Sequence, residues 1–324
     1  MVMWEIPDWT RITVIRHIKY ESGQLVETDS VEESQIINLV APSHDEISLI
    51  RDRLNIPEDF LMAALDRDER PRIEIEDEYQ LLIIRIPYHD LSSDTPYTTI
   101  AMSFILTPNH IVSVCSEKTM VWGELLGNRR LKLLSPADEK VSLLSTIFLR
   151  IGRQYLTTLR LIREEADAAE LAIHGSMKNE MLIDMLNLEK CLIFFTTSLR
   201  ANEPIWDRLK KIHGRDLTEN EMDLIEDVKI EFQQARELAD IYSNILSGMM
   251  DAFASVIANN LTVVLKLLTS ITIILMIPTL IASVYGMNVE LPFQHSPHAF
   301  LFTMIISMII SFGGIALFFK KKWF

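Results

Sequence analysis

The 324-residue chain is poor in cysteine, and its two cysteines, Cys115 and Cys191, lie far apart in the sequence. Neither belongs to a CxxC pair or has a histidine at metal-site spacing, which excludes a disulfide framework and fits a reducing compartment. The sequence also lacks a phosphate-cradling glycine loop, a Ser/His/Asp arrangement and a metal-ligand motif. An enzyme is therefore not predicted, and no prosthetic group is expected.

Positive charge is scarce as well. The chain has 31 Lys and Arg against 45 Asp and Glu, a formal net charge of −14. Nucleic-acid surfaces need clustered basic residues, so a nucleic-acid partner is not expected, whereas an acidic body can attract cations. The first residues, Met1–Asp8, lack a basic segment followed by an apolar run. No signal peptide is predicted, and the large N-terminal part is expected to stay in the cytoplasm.

Residues 1–135 alternate between strand-like and helix-like patterns and are predicted to form an α/β domain. The capping box Ser43–Glu46 opens a helix that runs to about Leu54, and a second helix is predicted from Pro57. The turn residues 107–109 predict a hairpin between the last two strands. Strand composition is found at 12–18, 35–40, 72–76, 79–86, 98–106 and 110–115.

Residues 136–260 have helical periodicity and are predicted to form a stalk of long helices. Two helices are expected at 141–174 and 177–211, and a third begins near Leu217 without a proline until Pro278. The third helix carries an apolar seam at alternating spacings of three and four, which is typical of packing against other helices. The seam consists of Ile225, Val228, Phe232, Ala235, Ala239, Tyr242, Leu246, Met249, Phe253 and Val256.

A second stripe with the same spacing follows the third helix, and its residues are mostly small, polar or hydroxylated. It consists of Asn244, Gly248, Asp251, Ser255, Ala258, Thr262, Leu265, Thr269, Thr272, Met276, Thr279 and Ser283. Serine and threonine can bond back to their own helix, so such a stripe can serve helix packing alone. The stripe continues through Asp251. This favours the other interpretation, a water-filled path lined by one copy of this helix from each of several subunits.

Residues 261–324 are predicted to form a transmembrane hairpin. Apolar spans at about 263–284 and 298–319 are long enough to cross a bilayer. Lys266 lies at one end of the first span and Lys320–Lys322 follow the second, whereas the connecting loop has no Lys or Arg and only one acid, Glu290. By the positive-inside rule, both termini are expected in the cytoplasm. Two spans cannot enclose a pore, so a pore requires a symmetric homo-oligomer, for which the apolar seam would supply contact surface.

The outer end of the first span has a recognisable sequence. Tyr285-Gly286-Met287-Asn288 follows a span that contains Pro278, and a short loop, a second span and a Lys320–Phe324 ending come after it. With the long helix and the acidic α/β domain, this order resembles the CorA family of magnesium channels over essentially the whole chain. The resemblance implies a homopentameric funnel in the plasma membrane that admits Mg²⁺ passively, with cobalt or nickel as possible secondary ions.

The resemblance also implies roles for single residues. Gly286, Met287 and Asn288 would ring the outer mouth, where neutral oxygens can hydrogen-bond the water shell that Mg²⁺ surrenders reluctantly. Asp90 and Asp227 would form a regulatory Mg²⁺ site between adjacent subunits. The helix below the mouth would line the pore, with apolar constrictions at Leu265 and Met276, a hydrated level at Thr279 and a carboxylate ring at Asp251. The implied pore-lining set is Asp251, Thr262, Leu265, Thr269, Thr272, Met276, Thr279 and Ser283.

Some features depart from that family and leave alternatives open. Ser283 stands where many relatives have glycine, and Glu290–Phe293 replaces the loop sequence Met-Pro-Glu-Leu, so pore diameter and outer cation attraction by Glu290 stay open. His295 and His298 alone do not complete a metal site. A zinc or other divalent transporter, with or without proton coupling, is the first alternative. A non-conducting, membrane-tethered cation sensor is the second, but it leaves the hydroxyl stripe unexplained.

Overall fold

The computed structural model describes residues 15–21, 24–127, 140–175, 179–214, 217–288, 292 and 297–321. It divides into two compact units, Met1–Ser247 and Gly248–Phe324. The strands are β1 Ile15–Glu21, β2 Gln24–Thr28, β3 Ile36–Val40, β4 Arg72–Glu76, β5 Tyr79–His89, β6 Tyr97–Leu106 and β7 Ile111–Cys115. The helices are α1 His44–Leu54, α2 Glu58–Met62, α3 Met120–Gly127, α4 Lys140–Gly175, α5 Asn179–His213, α6 Glu219–Tyr285 and α7 Ala299–Lys320.

The strands form one seven-stranded mixed sheet in the order β2-β1-β3-β7-β6-β5-β4. Among the described strands, β3 and β7 are the one pair that runs in parallel, and the other neighbouring pairs are antiparallel. The predicted hairpin of β6 and β7 is confirmed, with Thr107 N–H donating to the His110 carbonyl at 2.9 Å. The α/β class is therefore confirmed, whereas β2 and α3 were not predicted.

Local signals fix the ends of the first two helices. The Ser43 hydroxyl accepts from the Glu46 N–H and the Glu46 carboxylate accepts from the Ser43 N–H, which is the predicted capping box. Asn55, with a φ of 53°, closes α1 in the left-handed conformation that asparagine tolerates. Pro57 is the residue before α2 and not its first helical residue, so the second helix begins one position later than expected.

Helices cover both faces of the sheet. On one face, Leu81, Ile83 and Ile105 join a core cluster with residues of α1 and α2. On the other, the Phe104 ring meets Phe148 of α4 edge-on at 5.2 Å, and Phe148 lies 5.1 Å from Trp206 of α5. Burial on both faces explains why β5 and β6 are almost continuously apolar in sequence.

The apolar seam of α6 is buried within the single chain along most of its length, and Leu246 and Phe253 in its second half are only 2% and 8% exposed. The Phe232 ring lies 4.7 Å from Trp206 and 5.8 Å from Tyr155, centroid to centroid, and Ala235 and Ala239 are fully buried. Val256, at the end of the seam, is 46% exposed. Packing against α4 and α5 confirms that the first half of the seam serves an intramolecular helix bundle, and the use of the seam for subunit contacts stays a prediction.

The two long helices and the long third helix are confirmed in type and approximate extent. The third, α6, runs for 67 residues across Pro278, a length of about 100 Å at 1.5 Å per residue. Pro278 cannot donate to the Ile274 carbonyl, yet the helix continues to Tyr285. The division of the chain at residues 135 and 260 stays a prediction.

Candidate functional site

Two apolar helices of the second unit are long enough to cross a membrane. They are the C-terminal part of α6 and α7, whose 22 residues extend about 33 Å. A core helix of a soluble protein would be mostly buried, but only 6% of the apolar window in α6 and none of that in α7 is buried. Large apolar side chains such as Leu268, 60% exposed, form a continuous surface that lipid can cover and water would not favour.

One side of α6 packs against α7 within this hairpin. Along α6 the half-buried or buried residues are Ser270, Ile274, Ile277, Ile281 and Tyr285. Along α7 they are Ala299, Thr303, Ile306, Ser307, Ser311, Gly314, Ile315 and Phe318. A Cβ added at Gly314 would lie 3.8 Å from Ile277 Cδ1, so the two helices touch there through a small residue, as membrane helices commonly do.

The polar stripe of α6 lies on the other side of the helix. At 3.6 residues per turn, its members centre roughly 140° away from the α7-facing residues. All of the predicted pore-lining residues are exposed in the single chain: Asp251, Thr262, Leu265, Thr269, Thr272, Met276, Thr279 and Ser283. Leu265 is 53% and Met276 64% exposed. The stripe is thus a continuous face that no part of the described chain covers.

Three threonines of the stripe are held in the same way. Thr262, Thr272 and Thr279 each donate the hydroxyl hydrogen to the carbonyl four residues earlier, at 2.9, 2.8 and 3.1 Å. A hydroxyl has one hydrogen and two lone pairs, so the oxygen keeps acceptor capacity on the exposed side. The water molecules bound to a cation point their hydrogens outward, and such oxygens can accept them.

A tight turn ends α6 at the predicted filter residues. The Gly286 N–H donates to the Ala282 carbonyl at 2.9 Å and the Met287 N–H to the Val284 carbonyl at 3.2 Å. A Cβ at Gly286 would lie 3.3 Å from the Ala282 oxygen, so a side chain there would require a shift of a few tenths of an ångström. Gly286, Met287 and Asn288 are all exposed. The Tyr285 hydroxyl donates to the Pro292 carbonyl at 3.4 Å, which ties the helix end to the loop.

Asp90 follows the end of β5 and is partly buried. Its Oδ1 accepts from the Ser92 hydroxyl at 2.6 Å and from the Ser92 N–H at 3.1 Å, and these hydrogen bonds lower the pKa of Asp90. Its Oδ2 lies 3.7 Å from Nη2 of Arg67. Carboxylate oxygens suit Mg²⁺, so Asp90 fits a magnesium site, although Arg67 and Ser92 already share its charge.

Asp227 is exposed on α6. Among the residues that the structure describes, no three His, Cys, Asp or Glu side chains are grouped as a metal site. The described part of one chain therefore does not assemble a complete site around Asp90 or Asp227. Glu290 and His295 lie outside the described residues, and His298 immediately precedes α7.

Sequence reasoning missed the groups around Asp90. Arg67 also lies 3.6 Å from the Glu117 carboxylate, and its guanidinium stands 5.4 Å from the centre of the Tyr88 ring. These residues come from three separate segments that only the strand order of the sheet brings together. No local motif in the sequence could have found them.

The comparisons with known proteins agree with this geometry. A model of the family described as "CorA-like Mg2+ transporter protein" matches residues 32–321. The chain belongs to this family. It is 26% identical to the cobalt/magnesium transport protein CorA of Methanocaldococcus jannaschii, over 96% of this chain and 99% of that protein. It is 23% identical to the cobalt/magnesium transport protein CorA of Thermotoga maritima, over 81% of this chain and 75% of that protein.

A solved structure shows the same fold. The complete structure of the CorA magnesium transporter from Methanocaldococcus jannaschii superposes with a TM-score of 0.83 at 24% identity, covering 96% of this chain and 99% of that chain. The family resemblance predicted from the sequence is confirmed. The chain is a membrane protein with two spans and a member of a family of divalent-cation transporters, not of enzymes.

Proposed function

We propose that the chain forms a homopentameric channel that admits Mg²⁺ passively through the plasma membrane, driven by the inside-negative potential. The observation that supports this most strongly is the exposed polar stripe of α6, which faces away from α7. Both termini are cytoplasmic in this proposal, because Lys266, Lys320 and Lys321 flank the inner ends of the spans.

The stripe needs partner copies inside a bilayer. Facing lipid, its polar residues would leave their remaining hydrogen-bonding capacity unmet, which is costly in hydrocarbon. A ring of copies with closed rotational symmetry turns all the stripes toward one axis and lets water fill it. Leu265 and Met276 then narrow the path at two apolar levels, where loss of water can close it.

Selection of the ion is assigned to the turn after α6. In the proposed homopentamer, the Gly286 carbonyls and the Asn288 side chains form a ring of neutral oxygens at the outer mouth of the path. Mg²⁺ gives up its water reluctantly, and neutral acceptors hold the hydrated ion through its water molecules without displacing them. Glu290, in the loop that follows, adds negative charge that attracts cations to the entrance.

Regulation is assigned to Asp90 of one subunit and Asp227 of its neighbour. Two carboxylates brought together at a subunit boundary repel each other unless a cation lies between them. Internal Mg²⁺ bound there would stabilise the closed ring, and its loss would let the subunits move apart and open the path. A high cytoplasmic concentration of Mg²⁺ would thus limit further entry of Mg²⁺ through the channel.

The direct test is uptake by liposomes that contain the purified protein, with Mg²⁺, Co²⁺, Ni²⁺ and Zn²⁺ supplied separately. The proposal expects Mg²⁺ entry that follows the membrane potential and needs no proton gradient. Zn²⁺ entry that requires a proton gradient, without Mg²⁺ entry, would establish the zinc-transporter alternative. No entry of any ion would favour the non-conducting sensor.

The regulatory assignment has its own test. The variant that combines Asp90→Ala with Asp227→Ala should conduct Mg²⁺ even when the internal concentration is high enough to close the unmodified channel. A double replacement at Asp223 and Asp240, two other acidic positions of α6, is the matched control. Closure that survives the first pair of replacements would remove Asp90 and Asp227 from the mechanism.

A further inference from the structure

Two carboxylates that follow strand ends lie close to Arg67. Both β5 and β7 are antiparallel to β6, so they run in the same direction, although β7 ends opposite Met102 and β5 continues to His89, opposite Tyr97. Asp90 follows the end of β5 and Glu117 follows the end of β7. The two side chains are 23% and 36% exposed, so both are only partly hydrated.

Arg67 bridges these carboxylates. Its Nη2 lies 3.7 Å from Asp90 Oδ2, and its Nη1 lies 3.6 Å from Glu117 Oε1. Its guanidinium also stands over the Tyr88 ring, 5.4 Å from the centroid. An arginine is charged at every physiological pH, so the bridge is a permanent cation between two anions.

The backbone of Arg67 is held where this bridge needs it. The Arg67 carbonyl accepts from the Ala101 N–H at 3.2 Å and from Nη1 of Arg85 at 3.1 Å. Both donors belong to the central strands β6 and β5. The guanidinium is therefore tethered beside Asp90 by a fixed backbone, while its side chain stays 45% exposed and able to move.

We propose that Arg67 is a built-in competitor of Mg²⁺ for Asp90, and that it sets the concentration at which the regulatory site fills. This proposal rests on the regulatory role proposed for Asp90. Mg²⁺ has to displace the guanidinium from Asp90 Oδ2 before it can use that oxygen. Glu117 and Tyr88 keep the displaced guanidinium in place, so its charge stays paired after Mg²⁺ binds.

The competition predicts opposite effects of two substitutions. Arg67→Gln removes the competitor, so the Mg²⁺ concentration that half-saturates the site should fall by about two- to five-fold. This is the range expected for a partly exposed ion pair. Glu117→Gln removes the second carboxylate that pairs with Arg67, so the guanidinium pairs with Asp90 alone. The Mg²⁺ concentration that half-saturates the site should therefore rise. In a chain that already carries Arg67→Gln, the added Glu117→Gln should have a smaller effect, because no guanidinium remains to redistribute.

The test measures Mg²⁺ binding separately from transport. Thermal unfolding of the full-length protein in detergent is followed over a Mg²⁺ titration. The stabilisation grows as RT ln(1 + [Mg²⁺]/Kd), so a fit of this dependence gives Kd, the midpoint of Mg²⁺ binding. Arg70→Gln, which removes an exposed charge three residues away, is the matched control and should leave the midpoint unchanged. An unchanged midpoint in Arg67→Gln, or an equal shift in Arg70→Gln, would overturn the proposal.

Asp90→Ala distinguishes a failure of the competition by Arg67 from a failure of the regulatory role proposed for Asp90. If Asp90→Ala leaves the Mg²⁺ stabilisation unchanged, the regulatory role of Asp90 is wrong, and the competition with it. If Asp90→Ala removes the stabilisation but Arg67→Gln does not shift the midpoint of Mg²⁺ binding, only the proposal that Arg67 competes with Mg²⁺ is wrong. Loss of the stabilisation in Asp90→Ala together with a lower midpoint in Arg67→Gln supports both.

Discussion

The hydroxyl of Thr279 offers the sharpest test of what the polar stripe does. Thr279→Val replaces the hydroxyl by a methyl group of nearly the same size, and the two residues have similar helix propensities. The hydroxyl now donates to the Leu275 carbonyl at 3.1 Å and keeps acceptor capacity on the exposed side. The replacement therefore removes an acceptor from the proposed path with little change in shape.

The expected loss follows from the number of copies. If each hydroxyl contributes about 0.5 kcal/mol to holding the hydrated ion, the low end for a hydrogen bond, five copies contribute about 2.5 kcal/mol. That corresponds to about a 70-fold lower occupancy at this level of the path. Mg²⁺ uptake by liposomes containing Thr279→Val should fall by a comparable factor at low external Mg²⁺.

Thr303 on α7 provides the matched control. Its hydroxyl also bonds to its own helix, at 3.1 Å from the Ala299 carbonyl, but the residue is half-buried on the face of α7 that meets α6. Thr303→Val should leave uptake near the level of the unmodified protein. Unchanged uptake in Thr279→Val, or an equal loss in both variants, would show that the Thr279 hydroxyl does not hold the hydrated ion.

Two further predictions concern the strand behind Asp90 and the turn at the filter. The buried Asn202 side chain accepts from the Arg85 N–H at 2.9 Å and donates to the Arg85 carbonyl at 2.8 Å. Asn202→Leu should lower the free energy of unfolding by about 2–4 kcal/mol, measured by hydrogen exchange across β5, because the Arg85 N–H loses its acceptor. Tyr155→Phe, which removes only a second donor to the same carbonyl, should cost about 1 kcal/mol, and an equal cost in both would contradict this account. Gly286→Val should reduce Mg²⁺ uptake at least about 10-fold, since its Cβ crowds the Ala282 oxygen, and unchanged uptake would contradict the tight turn.

Local signals made much of the fold predictable. The capping box of α1 and the turn between β6 and β7 depend on a few adjacent residues, so the sequence displays them directly. The length of α6 follows from the absence of proline before Pro278. The polar stripe follows from helical periodicity, and the structure leaves exposed all eight residues that the sequence predicts to line a path, while that role stays a prediction.

Other features depend on which strands become neighbours. The parallel pairing of β3 and β7 joins residues 75 positions apart, such as Ile36 and Ile111, and no pattern within either segment indicates it. The contacts of Arg67 with Asp90 and Glu117 follow from that strand order, so they were not predicted. The short strand β2 has only five residues at the edge of the sheet, where propensity is a weak signal.

Chemical labelling can show whether the polar stripe of α6 lines a water-filled path. Thr272→Cys places a thiol on the stripe, and Ile309→Cys places one on the exposed, apolar side of α7, where Ile309 is 65% exposed. The native thiols of Cys115 and Cys191 are buried, and burial raises the pKa of each to about 11, so they should react little and can stay in place.

The measurement is the rate at which a charged, water-soluble methanethiosulfonate modifies each variant in liposomes, together with the effect on Mg²⁺ uptake. Thr272→Cys is expected to react quickly and its modification to block uptake, whereas Ile309→Cys faces lipid and is expected to do neither. A thiol at position 272 that reacts no faster than the one at position 309 would show that the stripe does not line a water-filled path.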